Sequence, residues 1–192
     1  MQKIIFTIFI IATSFCFAQE KVISLGGSLN DPSIQSNPLL NTGTYYKDVD
    51  NKFDKWVGTW QYENGNTLFK IVITKIVKAY VPANTYDGRP GYCYLDMLIG
   101  GYYYKENGVI KTNHLTFTNK FRPPLDIPGS TTYVTPDEIK MNYDEIDKSP
   151  ELNGHSVHFT LLPNSTTQAK WEFDSTKKRA YSVPDNLILT KL

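Results

Sequence analysis

The stretch Gly58-Thr59-Trp60-Gln61-Tyr62-Glu63-Asn64-Gly65-Asn66-Thr67-Leu68-Phe69-Lys70-Ile71-Val72-Ile73 decides the fold class. Successive side chains of a strand point to opposite faces, so Gly58, Trp60 and Tyr62 fall on one side while Thr59, Gln61 and Glu63 fall on the other. Asn64-Gly65 offers the positive-φ turn that a tight hairpin needs. The return strand, Thr67 to Val77, then carries Phe69, Ile71 and Ile73 on one face with Lys70 and Thr74 opposite. This is a β-hairpin pattern with one buried and one solvated face.

The same period continues outward from that hairpin. Gly91 to Lys105 reads as a long strand with a bulge or bend at Gly100-Gly101, and Glu106-Asn107-Gly108 turns it into Val109 to Thr112. The loop from Phe121 to Ser130 holds Pro123-Pro124 and Pro128-Gly129, which argues against a central strand there. Ile139, Met141 and Tyr143 alternate with polar residues. Val157, Phe159 and Leu161, a Pro163-Asn164-Ser165 turn, and Ala169, Trp171 and Phe173 make a third hairpin. Leu187 to Leu192 closes the chain as a final strand. With about eight short strands and no helix of convincing length, the expectation is an all-β fold, an antiparallel up-and-down barrel or half-barrel.

Upstream of Gly58 the pattern changes twice. Residues 1–18 combine Lys3, an apolar run from Ile4 to Phe17 and a Cys16-Phe17-Ala18 end, which reads as a signal peptide with cleavage before Gln19; the run is too short for the roughly 20 residues of a spanning helix. Lipidation at Cys16 is disfavoured by the bulky Phe15 before it. Residues 19–54 are rich in Ser, Asn, Pro and Gly and read as an irregular leader over a barrel domain at 55–192. The chain is thus expected to be exported to the periplasm or beyond, with no membrane insertion after cleavage.

The 192 residues carry 20 Lys+Arg against 19 Asp+Glu. Loss of residues 1–18 removes one lysine and leaves a formally neutral chain. Only three arginines occur, Arg89, Arg122 and Arg179, and no basic cluster exists to release counterions from a nucleic acid. Of the two cysteines only Cys93 would survive cleavage, which excludes an intramolecular disulfide and a cysteine metal cluster.

Phe53-Asp54-Lys55-Trp56-Val57-Gly58-Thr59-Trp60 contains the Gly-x-Trp start of lipocalin-like (calycin) barrels, at the first strand where that group carries it. The resemblance implies structural roles for Gly58, which permits tight packing at a bend, and for Trp60, which plugs one end of the barrel. In that group an arginine of the last strand commonly covers the ring; here Lys191 is the one basic residue of that strand. Tyr45-Tyr46-Lys47-Asp48, Trp171-Glu172-Phe173 and Pro184-Asp185-Asn186-Leu187-Ile188-Leu189-Thr190-Lys191 are similar to a family of small exported bacterial proteins of unknown function. That resemblance implies a lipocalin-like fold and brings no activity, ligand or catalytic residue. Gly58 to Thr67 is also similar to the opening of avidin-type barrels, but a biotin site leans on several tryptophans and only Trp171 would remain for it.

Candidate chemistry is sparse. His155 and His158 lie three apart and diverge on a strand, Asp48, Asp50 and Asp54 resemble a calcium loop interrupted by Lys52, and no nucleophile has a placed base; no metal, cofactor or catalytic residue is expected. Asn164-Ser165-Thr166 matches a glycosylation acceptor formally, and a turn explains it. Tyr92, Tyr94, Tyr102 and Tyr104 share one face if the glycine pair keeps parity, forming a candidate surface aromatic patch. Cys93, Leu95, Met97 and Tyr103 form the opposite, more apolar face, which is expected to look inward onto a cavity for a small apolar or amphipathic ligand, with the Phe121 to Ser130 loop near its mouth. The alternative is an interior filled by Trp60, Phe69, Ile71, Phe159 and Trp171, leaving an adhesion or assembly module that works through its outer surface.

Overall fold

A computed structural model describes residues 20–25, 43–84, 90–116, 124–127, 137–143, 155–174 and 182–192. The fold is all-β. Among the described residues eleven strands join one mixed sheet: β1 (Val22–Ser24), β2 (Tyr45–Lys47), β3 (Gly58–Asn64), β4 (Thr67–Asn84), β5 (Pro90–Glu106), β6 (Val109–Asn113), β7 (Leu125–Ile127), β8 (Glu138–Tyr143), β9 (His155–Leu161), β10 (Gln168–Phe173) and β11 (Leu187–Lys191).

From β3 onward, strands adjacent in the chain pair antiparallel except β6 and β7, which both pair with β5, and β11 returns to β3 through Thr190 opposite Gln61 and Lys191 opposite Trp60. β5 is the hub. One edge pairs along its length with β4, and the other is shared by β6 at Tyr103 to Glu106, β7 at Leu98 to Gly100 and β2 at Tyr94 and Leu95. β1 with β2 and β2 with β5 are parallel, so the sheet is mixed where only antiparallel pairing was expected. Both parallel contacts come from the 19–54 segment, which is therefore not simply an irregular leader. Tyr46, Leu25 and Phe53 from it join the hydrophobic core.

Three further expectations change. Leu125–Ile127 is a strand inside the proline-rich loop, paired on one side with β5 and on the other with β8. Three residues between the prolines suffice, because neither proline need donate to the ladder. Gly100 and Gly101 make no bulge; their register with Ile73 and Val72 is continuous. They are glycines because neighbouring chain passes too close, and a Cβ on Gly101 would lie 2.2 Å from the His114 carbonyl oxygen. The register shifts lie elsewhere, in β4 between Ile76 and Ala79, where Lys78 takes φ of 54°, and in β6 opposite Tyr104 and Lys105. The first hairpin turns at Gly65-Asn66 rather than Asn64-Gly65, since Asn64 still pairs with Thr67. The second turns as read, with Asn107 and Gly108 at φ of 50° and 78°.

The alternation of the later strands holds. Ile139, Met141, Tyr143, Val157, Phe159, Leu161, Ala169, Trp171 and Phe173 are all buried, each separated by a more exposed residue. They meet Trp60, Phe69, Ile71, Ile73, Leu98 and Tyr102 in one core, where large rings interlock edge to face: Trp60 on Phe159 at 5.0 Å, Phe69 on Trp171 at 5.1 Å, and Tyr143 on Phe173 at 5.1 Å. Such offset geometry sets the electropositive ring edge against a neighbour's electronegative face.

Candidate functional site

Most of the structure's unusual chemistry lies where the chain enters β3. Asp48 is buried at the head of a turn, and its carboxylate accepts the backbone N–H groups of Lys52 at 2.8 Å and Phe53 at 3.0 Å. This local bonding suits a residue type that turns a chain by binding its own backbone. The turn delivers Phe53 and Trp56 into the core ahead of Gly58, whose φ of 130° no ordinary residue adopts readily.

Opposite Asp48 stands a second buried carboxylate, Asp96 on β5. It accepts from the Tyr45 hydroxyl at 2.7 Å, the Asp48 N–H at 3.0 Å and the Lys78 N–H at 2.9 Å. The β4 bulge therefore has a chemical reason: the backbone N–H that it turns out of the ladder is captured by Asp96. Burial, followed by the hydrogen bond to Asp96, holds the Tyr45 phenol far above its ordinary pKa. Lys75 bridges Asp48 at 3.0 Å and Asp54 at 2.8 Å. Burial pulls its ammonium pKa down, but the bonds to Asp54 and Asp48 outweigh that and leave it above the usual lysine value. Thus the protein's own ammonium sits among the aspartates that resembled a calcium loop. Among the described residues no group of three or more His, Cys, Asp or Glu side chains is placed to hold a metal ion.

Beside this network lie two indoles tilted against each other. Trp60 is fully buried and donates its Nε1–H to the Trp56 carbonyl at 2.9 Å, with the ring centroids 6.5 Å apart. Lys191 Nζ stands 5.4 Å from the Trp60 centroid and donates to the Lys55 carbonyl at 2.7 Å. A Cβ on Gly58 would come within 3.1 Å of the Lys191 side chain. Gly58, Trp60 and Lys191 are thus brought together, with lysine over the ring where the resemblance places arginine. Burial lowers the Lys191 pKa. Lys55 Nζ covers the Trp56 ring at 5.2 Å.

The four residues expected to line a cavity separate. Cys93 is buried, and its thiol pKa is raised by that burial; Leu95 is half-buried beside it, and the two pack with Val81, Tyr46 and Ile23 on the β2–β5 part of the sheet. Met97 and Tyr103 are half-buried on that same odd-numbered face, but there it is the outer one, and Tyr103 lies opposite Lys70 and Asn113. The interior row of β5 is Leu98, Tyr102 and Tyr104, because Tyr102 pairs with Ile71 and Tyr104 with Phe69, and cross-strand partners share a face. The aromatic patch divides for the same reason. Tyr102, 1% exposed, and Tyr104 are core residues, whereas Tyr92 and Tyr94 cluster with the 48% exposed Tyr80, their centroids 5.5 and 5.9 Å from its ring. The loop proposed near the mouth is described only at 124–127.

His155 is buried and His158 half-exposed against Glu138, so the two diverge as their spacing requires. Asp96, Lys75, Trp56 and Lys55 were missed as site residues. Asp96 had a legible signal, being the one acid within the run from Gly91 to Tyr104.

The chain belongs to a family of unknown function, DUF6705, whose pattern matches residues 1–192. No curated protein matches it, and no solved structure matches it.

Proposed function

We propose that this is an exported, lipocalin-like up-and-down barrel filled by its own side chains, which acts as an adhesion or assembly module through its outer surface. The observation that carries the reading is the set of edge-to-face rings across the interior, Trp60 on Phe159, Phe69 on Trp171 and Tyr143 on Phe173, which occupies the space a carried ligand would need. The barrel form is supported by the unbroken antiparallel succession from β3 to β5, through β7 to β11, and back to β3. The lipocalin likeness is supported by Lys191 over Trp60 beside Gly58. Export rests on the signal-like residues 1–18. An apolar-ligand carrier lined by Cys93, Leu95, Met97 and Tyr103 is the weaker reading, because Met97 and Tyr103 stand on the face opposite Tyr102.

Native mass spectrometry of protein taken from its own host tests this, together with titration of an apolar fluorescent probe. The expected result is a bare chain beginning at Gln19 and no saturable probe signal. A stoichiometric apolar passenger would overturn the filled-interior reading, and a mass carrying acyl chains on Cys16 would overturn the cleavage site.

A further inference from the structure

Around the start of β3, one buried indole N–H has no hydrogen-bond partner and two ammonium groups have no carboxylate among the described residues. Trp56 is fully buried, yet its Nε1–H has no hydrogen-bond partner among the described residues, whereas the N–H groups of Trp60 and Trp171 are satisfied by the Trp56 and Pro184 carbonyls. A buried donor left unpaired is costly, and native interiors leave few. Lys55 stands over the Trp56 ring, and Lys191 over the neighbouring, tilted Trp60 ring. Neither ammonium meets a carboxylate among the described residues; Lys191 has only the neutral Lys55 carbonyl. The contrast with Lys75, which holds two aspartates, and with Lys78, which holds Glu20, is plain.

We infer that the Trp56 indole N–H and the Lys55 and Lys191 ammonium groups form a binding site for a small organic carboxylate at the β3 end of the sheet. A carboxylate supplies what is missing here: an acceptor-only oxygen for the indole N–H and a negative charge to compensate the two cations. An uncharged acceptor would satisfy the indole but leave the lysines uncompensated. Burial already weighs on the Lys191 charge, and an anion alongside would relieve it. Lys55 is only half-buried, so the indole it covers lies one flexible side chain from solvent. The oxygen ligands are small, since rings of Trp60 and Phe159 crowd Trp56 on its inner side, with Phe159 at 5.7 Å. The inference is independent of whether the rest of the interior is filled.

The test is titration of the 15N-labelled full chain with acetate and with benzoate at constant ionic strength, following the three tryptophan indole resonances. Trp56→Phe identifies the Trp56 signal by its loss and removes the donor while keeping an aromatic ring. The expected result is a saturable shift of the Trp56 signal with a dissociation constant of the order of 1 mM, which chloride does not reproduce, weakened about tenfold in Lys55→Gln. Lys55→Gln, at a half-exposed position, carries the test should Trp56→Phe fail to fold; the Trp56 signal is then the one broadened by a spin label placed on the 48–54 turn. No saturable shift up to about 100 mM of either acid, or equal affinity in wild type and Lys55→Gln, overturns the inference.

Discussion

Replacing Asp96 with alanine should be among the most damaging changes outside the apolar core. The carboxylate is buried and accepts three hydrogen bonds, from the Tyr45 hydroxyl and the Asp48 and Lys78 main chain. Hydrogen bonds to a charged group contribute roughly 1.5 to 3 kcal/mol each, and a buried donor stripped of its acceptor costs roughly 1 to 3 kcal/mol. The Lys78 N–H lies at an exposed bulge and can turn to water, so it should contribute least; the other two donors are enclosed. Asp96→Ala is therefore expected to cost about 3 to 5 kcal/mol. Asp96→Asn keeps the carbonyl oxygen that faces Tyr45 and Lys78 but sets an amide N–H against the Asp48 N–H, and should cost about 1 to 3 kcal/mol. Urea melts give both numbers, with the exposed Asp50→Ala as control. Native-state hydrogen exchange should show the loss concentrated in 43–54, the segment that Asp96 ties to β5. A cost below about 1 kcal/mol for Asp96→Ala, the range of ordinary surface changes, would mean that this carboxylate does not hold the leader strand in place.

Trp60→Ala should cost roughly 3 to 5 kcal/mol in the same melts, since it removes a fully buried ring that lies against Phe159 and Trp56 and leaves a cavity; a loss under about 1 kcal/mol would refute its structural role. Met97→Trp should change stability by no more than about 1 kcal/mol, because Met97 is half-buried on the outer face; a loss of roughly 1 to 3 kcal/mol would place it in a packed interior after all. Lys75→Met carries a pH signature. The Lys75 pKa is raised on folding, so its ion pairs contribute fully below the unfolded value near 10.5 and lose that contribution as pH rises through the higher folded value. The stability gap between wild type and Lys75→Met should then be flat from neutral pH to about pH 10 and shrink above it, as read from urea midpoints; a gap that widens in alkali would be the contrary result.

The all-β class, the alternation of β8 to β10 and the Asn107-Gly108 turn were legible because each is local, written in the period or in a residue pair that permits positive φ. What escaped was set by partners distant in sequence. Which side of β5 faces inward depends on β4, where Phe69 and Ile71 draw Tyr102 and Tyr104 into the core, and a tyrosine ring reads as surface only when its hydroxyl is weighed above its area. Leu125–Ile127 is too short to show a period and is flanked by prolines. The parallel β1 and β2 rest on a few ladder bonds and on Asp96, 48 residues from Asp48.

These last residues bear on where the folding unit begins. A barrel domain opening at residue 55 follows from composition, since 19–54 is polar and turn-rich. Yet Phe53 and Tyr46 lie in the core, Tyr45 and Asp48 bond to Asp96, and Lys75 of β4 holds Asp48 and Asp54 together. A chain cut before residue 55 would leave Asp96 buried without its leader donors and Lys75 without both carboxylates. An unpaired buried charge costs more than the pair contributes, so removing the leader should destabilise the remaining sheet beyond the loss of its own contacts. Residues 43–54 are therefore expected to unfold together with β4 and β5, and their removal should loosen the entry to β3 with its two indoles.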